Sequence, residues 1–278
     1  MGRISTHCEL RYTVSAPSSF YFAVLAARGT HQHVVEERLI ITPDLPVTRM
    51  PFGPAGHDVV RVVTGPGQLW LLYDATVELS AFVPLEIPRA ETAFADVPSD
   101  VLGFLHPSRF CQSDMLTRLA TNTFGQLPAG FERVTGICNW VYDHLEYVPG
   151  STDASSTAVD VLVEGAGVCR DYAHLSIAFC RALGIPARYV SGYAVDLDPP
   201  DFHGFFEAYI GDAWYLFDAT RMAPVDGLVR IAAGRDAADV AFAAFTGAAT
   251  LDAKNLVTID LERTAPNPAR TTAAISTA

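Results

Sequence analysis

Gly165-Ala166-Gly167-Val168-Cys169-Arg170-Asp171-Tyr172-Ala173-His174-Leu175-Ser176-Ile177-Ala178-Phe179-Cys180-Arg181-Ala182-Leu183-Gly184 is the stretch whose reading decides the fold. Glycines open it, a cysteine follows, apolar residues recur at helical spacing, and a glycine closes it. The pattern predicts a buried helix with Cys169 in its first turn. There the backbone N–H groups and the helix dipole favour a thiolate, and the flanking glycines let a substrate backbone come close. Position alone leaves two readings open for Cys169, a buried structural thiol or a nucleophile. Cys180, on the same helix among apolar residues, reads as packing.

A cysteine nucleophile needs a base, most often histidine. His174 is nearest in sequence, but five helical residues turn its side chain about 140° away from Cys169. It reads as a packing or surface residue. His144, late in the preceding helical segment, stays open as an alternative. His203 is better placed because it begins a hairpin: His203–Ile210, then Gly211-Asp212, then Ala213–Thr220. With a two-residue loop, Ile210 pairs with Ala213, Phe205 lies opposite Asp218, and His203 lies opposite Thr220. These four side chains then share one face, and His203 and Asp218 become diagonal neighbours roughly 7–8 Å apart. An aspartate following Trp214-Tyr215-Leu216-Phe217 is costly to bury without a partner. The imidazole of His203 is that partner, and the contact would fix its tautomer and leave the other ring nitrogen facing a thiol.

Outward from this block the chain changes character twice. Residues 6 to 83 read as all-β, with strands expected at Cys8–Val14, Phe20–Ala26, His33–Thr42, Val59–Thr64 and Leu69–Phe82, broken by Pro17, Gly29, Pro43, Pro46, Pro51 and Gly65-Pro66-Gly67. This spacing predicts a small sandwich or open barrel. His31 and His33 lie near a turn without a third ligand and read as solvated. A Pro- and acid-rich linker follows, and then helices: Gln112–Phe124, with Ser113 or Asp114 as cap, and Gly130–Tyr147, where Cys138 falls on the apolar stripe. Thr157 with Asp160 forms a capping signature for a short helix ending near Gly165. Ala187–Ala194 reads as a strand, Asp196–Asp201 as a solvated acidic loop, residues 235–247 as a short helix or irregular, and Asn255–Leu261 as a last strand. The tail from Thr264 is expected to be disordered. The resulting division is an N-terminal all-β domain over 1–86, a linker over 87–100, a catalytic core over 101–263 and the tail over 264–278.

With 278 residues, half of them hydrophobic, the chain is long and apolar enough to form a full core. Its net charge of −12 argues against nucleic-acid and anionic membrane partners. Five scattered cysteines without a C-x-x-C pair give no support to a zinc or dithiol site and suit a reducing compartment. No apolar run reaches the ~18 residues of a membrane span, and the N-terminus lacks an apolar signal core. Gly2 and Thr6 fit a myristoylation pattern too short to carry weight. A cytoplasmic protein without metal or cofactor is expected.

Gly167-Val168-Cys169-Arg170-Asp171-Tyr172-Ala173, Arg181–Tyr193, Asp201–Tyr209 and Trp214–Asp218 resemble the core motifs of the bacterial transglutaminase-like family, whose members are often described as cysteine proteases. Thr157–Asp160 and Gly234–Val240 resemble segments flanking that core, and the N-terminal β region is similar to the domain that commonly precedes it. The resemblance implies an α+β fold: a papain-like, transglutaminase-like core of helices packed on an antiparallel sheet, preceded by a small all-β sandwich domain. By position it implies Cys169 as nucleophile, His203 as base and then acid, and Asp218 as orienter. The implied chemistry is acyl transfer or hydrolysis through a thioester on a peptide, protein or small amide substrate. The calcium dependence of animal members is not implied, since no EF-hand-like spacing is present. One departure stands out: the family usually has alanine and then an aromatic, often tryptophan, after the histidine, whereas this chain has Gly204 and Phe205. An inactive scaffold that binds protein partners is the alternative from another class. An arylamine N-acetyltransferase shares the Cys-His-Asp order but carries its cysteine much nearer the N-terminus.

Overall fold

Apolar and polar residues alternate from Ile4 to Val14, and every second side chain there is buried. That period of two lays one face of the first strand onto the core. The computed structural model describes residues 2–29, 31–80, 90–224, 227–252, 256–262 and 275–276. Its N-terminal part holds β1 (Gly2–Phe22), β2 (Gln32–Thr42), β3 (Val47–Phe52), β4 (His57–Thr64) and β5 (Gly67–Leu79). The helical part holds α1 (Ser113–Phe124), α2 (Phe131–His144), β6 (Glu146–Tyr147), α3 (Ala158–Glu164), β7 (Ala166–Gly167) and α4 (Cys169–Ala182). Then come β8 (Ala187–Ala194), β9 (Phe202–Ile210), β10 (Ala213–Phe217), β11 (Leu228–Gly234), β12 (Ala243–Leu251), β13 (Leu256–Glu262) and β14 (Ile275–Ser276).

The N-terminal strands form a curled antiparallel sheet in the order β2-β5-β1-β4-β3. β1 is one long strand where two were expected. Pro17, which reads as a break, lies in an irregularity of the ladder with register shifts on either side of Ala16, the kind of place where a sheet tolerates proline. The division of the chain also differs. β12 and β13, expected within the catalytic core, both pair with β1 and complete the N-terminal sheet. Residues 235–247, read as a short helix or irregular, are irregular as far as 242 and then enter β12. Of the tail expected to be disordered, Ile275 and Ser276 pair with Leu216 and Tyr215 of β10; the rest of it, like residues 81–89 of the expected fifth strand and linker, lies outside the described residues.

The core sheet is antiparallel in the order β11-β8-β9-β10-β14. α4 packs on β8 and β9, with α1, α2 and α3 packed on α4. From Asp171 to Arg181 every residue of α4 is buried, so the helix is a central rod rather than an amphipathic cover. α2 stops at His144, three residues short of its expected end, and Glu146–Tyr147 pairs in parallel with Ala166–Gly167. Thr157 and Asp160 form the expected capping box, and Gly165 ends α3 in the left-handed conformation at φ 72°. α1 begins after Gln112 without a side-chain cap from Ser113 or Asp114. The hairpin has the expected register, Ile210 opposite Ala213. Gly211 and Asp212 both have positive φ, 53° and 72°, as a two-residue turn of type I′ requires.

Candidate functional site

Cys169 is the first residue of α4, partly exposed at the wall of a cleft of about 640 Å³. The turn that carries it is fixed by Asp171. The buried Asp171 carboxylate accepts the Val168 N–H at 2.9 Å and the Thr152 hydroxyl at 2.6 Å, with Arg170 at 3.4 Å beside it. This side chain caps the helix three residues after its N-cap. The sequence reading did not single out Asp171, although its spacing from Val168 is the available signal.

His203 and Asp218 meet behind the cleft. His203 Nε2 donates to Asp218 Oδ2 at 2.8 Å, and both side chains are fully buried. The other carboxylate oxygen accepts the Thr220 N–H at 2.9 Å and the Thr220 hydroxyl at 2.7 Å. β10 ends at Phe217, so Asp218 stands just past the ladder and reaches across to the strand opposite. His203 Nδ1 has no fixed partner, and His203 and Cys169 line the same cleft, close enough for the thiol to influence the ring. Burial opposes a charged imidazole. The Asp218 charge, its hydrogen bond and the neighbouring Cys169 outweigh that and push His203 up to about 10. Burial likewise opposes the Asp218 carboxylate, but His203 and the Thr220 hydrogen bonds hold it below the usual carboxylate range. The structure therefore brings Cys169, His203 and Asp218 together.

The other candidates fall elsewhere. His174 is buried, accepts the Ala237 N–H at 3.1 Å on Nε2, and stacks on Phe110 with centroids 5.2 Å apart. Burial, with Arg170 and Arg181 nearby, keeps it far below its usual range and neutral. His144 is exposed, bonded to Trp140 O and stacked on the Trp140 ring, away from the cleft. Cys138 and Cys180 are fully buried, and desolvation raises both thiols. Asp201 is exposed, as expected of a solvated loop, and stands at the rim of the cleft, where partial desolvation raises its carboxyl.

Tyr147 is the residue that sequence reasoning missed. Its strand pairs Tyr147 with Gly167, two residues before Cys169. Its phenol lies close enough to Cys169 to feel the thiol's charge, and burial together with Cys169 raises it above the usual phenol range. A two-residue parallel pairing leaves no periodicity to read. The departure at Gly204 also has a physical reason. A Cβ there would collide with the Tyr189 hydroxyl and come within 3.3 Å of Arg170 Cα. Tyr189 fills the place of the missing methyl group at the cleft wall.

The family model described as the Transglutaminase-like superfamily matches residues 117–219, and that of the Bacterial transglutaminase N-terminal domain matches residues 3–94. The solved structure of a protein from Cytophaga hutchinsonii designated "Putative Cysteine Protease" is 40% identical, with a TM-score of 0.92 over 99% of this chain and 97% of that one. An uncharacterized Mycobacterium leprae protein is 34% identical over 120 residues, 39% of this chain and 42% of its own length. This chain thus spans under half of that relative. An uncharacterized Mycobacterium tuberculosis protein is 28% identical over 213 residues, 71% of this chain and 67% of its own length.

Proposed function

We propose that this chain, which belongs to the transglutaminase-like superfamily, is a cysteine-dependent acyltransferase or hydrolase that acts on an amide or peptide through a thioester. The observation that carries the reading is the buried His203–Asp218 hydrogen bond with the Cys169 thiol beside the same ring. Cys169 attacks the carbonyl carbon as a thiolate, with the His203 imidazolium as its counter-ion. The tetrahedral oxyanion takes hydrogen bonds from the Cys169 N–H and the Tyr147 hydroxyl. As the C–N bond breaks, His203 gives its proton to the departing amine, and Asp218 stabilises the ring in its charged form. An amine or water then attacks the thioester, with His203 taking the incoming proton. An amine product is transamidation; a water product is hydrolysis or deamidation. Phe110, Phe202, Phe242 and Val240 form an apolar stretch of the cleft wall, which supports a peptide or small amide as substrate. Five unpaired cysteines support a reducing, cytoplasmic setting; among the described residues no helix is long and apolar enough to cross a membrane.

Incubation with a panel of glutamine-bearing peptides and activated acyl esters, quenched in acid, tests the proposal by intact mass. A covalent acyl adduct on Cys169, absent in Cys169→Ser, is expected. Tyr147→Phe slows its formation by on the order of 10²-fold. Turnover that persists in Cys169→Ser would contradict the proposal.

A further inference from the structure

The opposite face of the core sheet from α4 carries a second polar cavity. It has a volume of about 290 Å³ and lies between the segment after β1, the turn before β4, and strands β8, β9 and β11. Arg28, Arg188, Arg230 and His57 line it, with Glu207 and Asp58. Glu207 is 1% exposed and accepts both Arg188 Nε and Arg230 Nε at 2.7 Å. One buried carboxylate thus faces two guanidinium groups, which leaves one positive charge in surplus. At the exposed mouth Arg28 pairs with Glu37 at 3.2 Å, and Asp58 is exposed to solvent beside it. Arg230 Nη2 is buried without a hydrogen-bond partner, as are both ring nitrogens of His57. Leaving buried N–H donors unmatched is unfavourable, and a guanidinium edge matches the two oxygens of a carboxylate or phosphate. A chain with a net charge of −12 gathers three arginines here, where the shared field of cleft walls favours an anion.

We propose that this cavity is a binding site for a small oxyanion, a carboxylate or a phosphate group, held by Arg230 and Arg188 with Arg28 at the mouth. The volume is at the low end for ligand pockets and fits a compact ligand. The site is separate from the Cys169 cleft, so it stands whether or not the acyl-transfer reading holds.

Calorimetric titration of the full chain with inorganic phosphate and, separately, with succinate tests it, at one ionic strength set with sodium chloride. Saturable one-site binding of at least one anion is expected, weakened tenfold or more in Arg230→Gln and unchanged in Arg118→Gln on the exposed face of α1. Tighter phosphate identifies a tetrahedral ligand, and tighter succinate a carboxylate. Should Arg230→Gln fail to fold, Arg28→Gln, which leaves the Glu207 pairs intact, is expected to weaken binding at least threefold. The proposal is overturned by the absence of saturable binding of either anion to the wild type, or by folded arginine variants that bind as the wild type does.

Discussion

At the scale of single residues, the site depends on what Gly204 lacks. Gly204→Ala forces Tyr189 out of its place against the strand and crowds the Arg170 backbone. A destabilisation of about 1–3 kcal/mol is expected, read as a lowered urea midpoint and partly recovered in the double variant with Tyr189→Phe. The charge on His203 also has a consequence for stability. Its folded value, pushed up to about 10, lies above the ~6.5 of an unfolded histidine. The ring therefore contributes stability that is fully present below about pH 6.5 and is lost as pH rises through about 10. The gap in melting temperature between wild type and His203→Gln is expected to be widest near pH 6 and to narrow toward pH 10; a gap that grows with pH contradicts this. His203 and Asp218 were legible in the sequence because a two-residue turn fixes register, and register fixes faces. Tyr147 was not, since its position depends on a pairing between segments about twenty residues apart.

At the scale of elements, the first turn of α4 is what presents Cys169. Asp171 ties that turn to Val168 and to Thr152 in the preceding loop. Asp171→Ala removes the cap and leaves the half-buried Val168 N–H without its acceptor, so a loss of about 1–3 kcal/mol is expected, with slower alkylation of Cys169 than in wild type. A stability loss without any change at Cys169 would show that the cap supports the helix but not the thiol. Helical periodicity located α2 and α4, and the capping signature located α3. Element ends were less legible. α2 stops at His144 because Leu145 turns to extended backbone and Tyr147 is drawn into a strand with Gly167, which the apolar stripe through Leu145 does not reveal.

At the scale of the molecule, the two parts of the chain share one core. A continuous apolar cluster runs from the N-terminal sheet into α4 and β8. The Tyr193 hydroxyl donates to Val24 O at 2.6 Å. Gln32 uses its side-chain amide as a strand would, donating to Arg230 O at 2.9 Å and accepting Arg230 N–H at 2.8 Å. With β12 and β13 returning to β1, a cut at the linker separates pieces that were packed together. A single calorimetric transition is expected on heating the full chain, and two resolved transitions would show the halves to be independent. The sequence marked the change from β to helical composition near residue 84. It could not show that later strands cross back, since β12 and β13 look alike whichever sheet they join.

The central claim is that His203 and Asp218 make Cys169 the reactive thiol of this chain. Iodoacetamide labelling at graded pH, with the label located by mass spectrometry, tests it most directly. Labelling of Cys169 ahead of Cys8, Cys111, Cys138 and Cys180 below pH ~7 is expected, and that preference is expected to be lost in His203→Ala. A Cys169 that alkylates no faster than the other four, or equally fast without His203, would contradict the account.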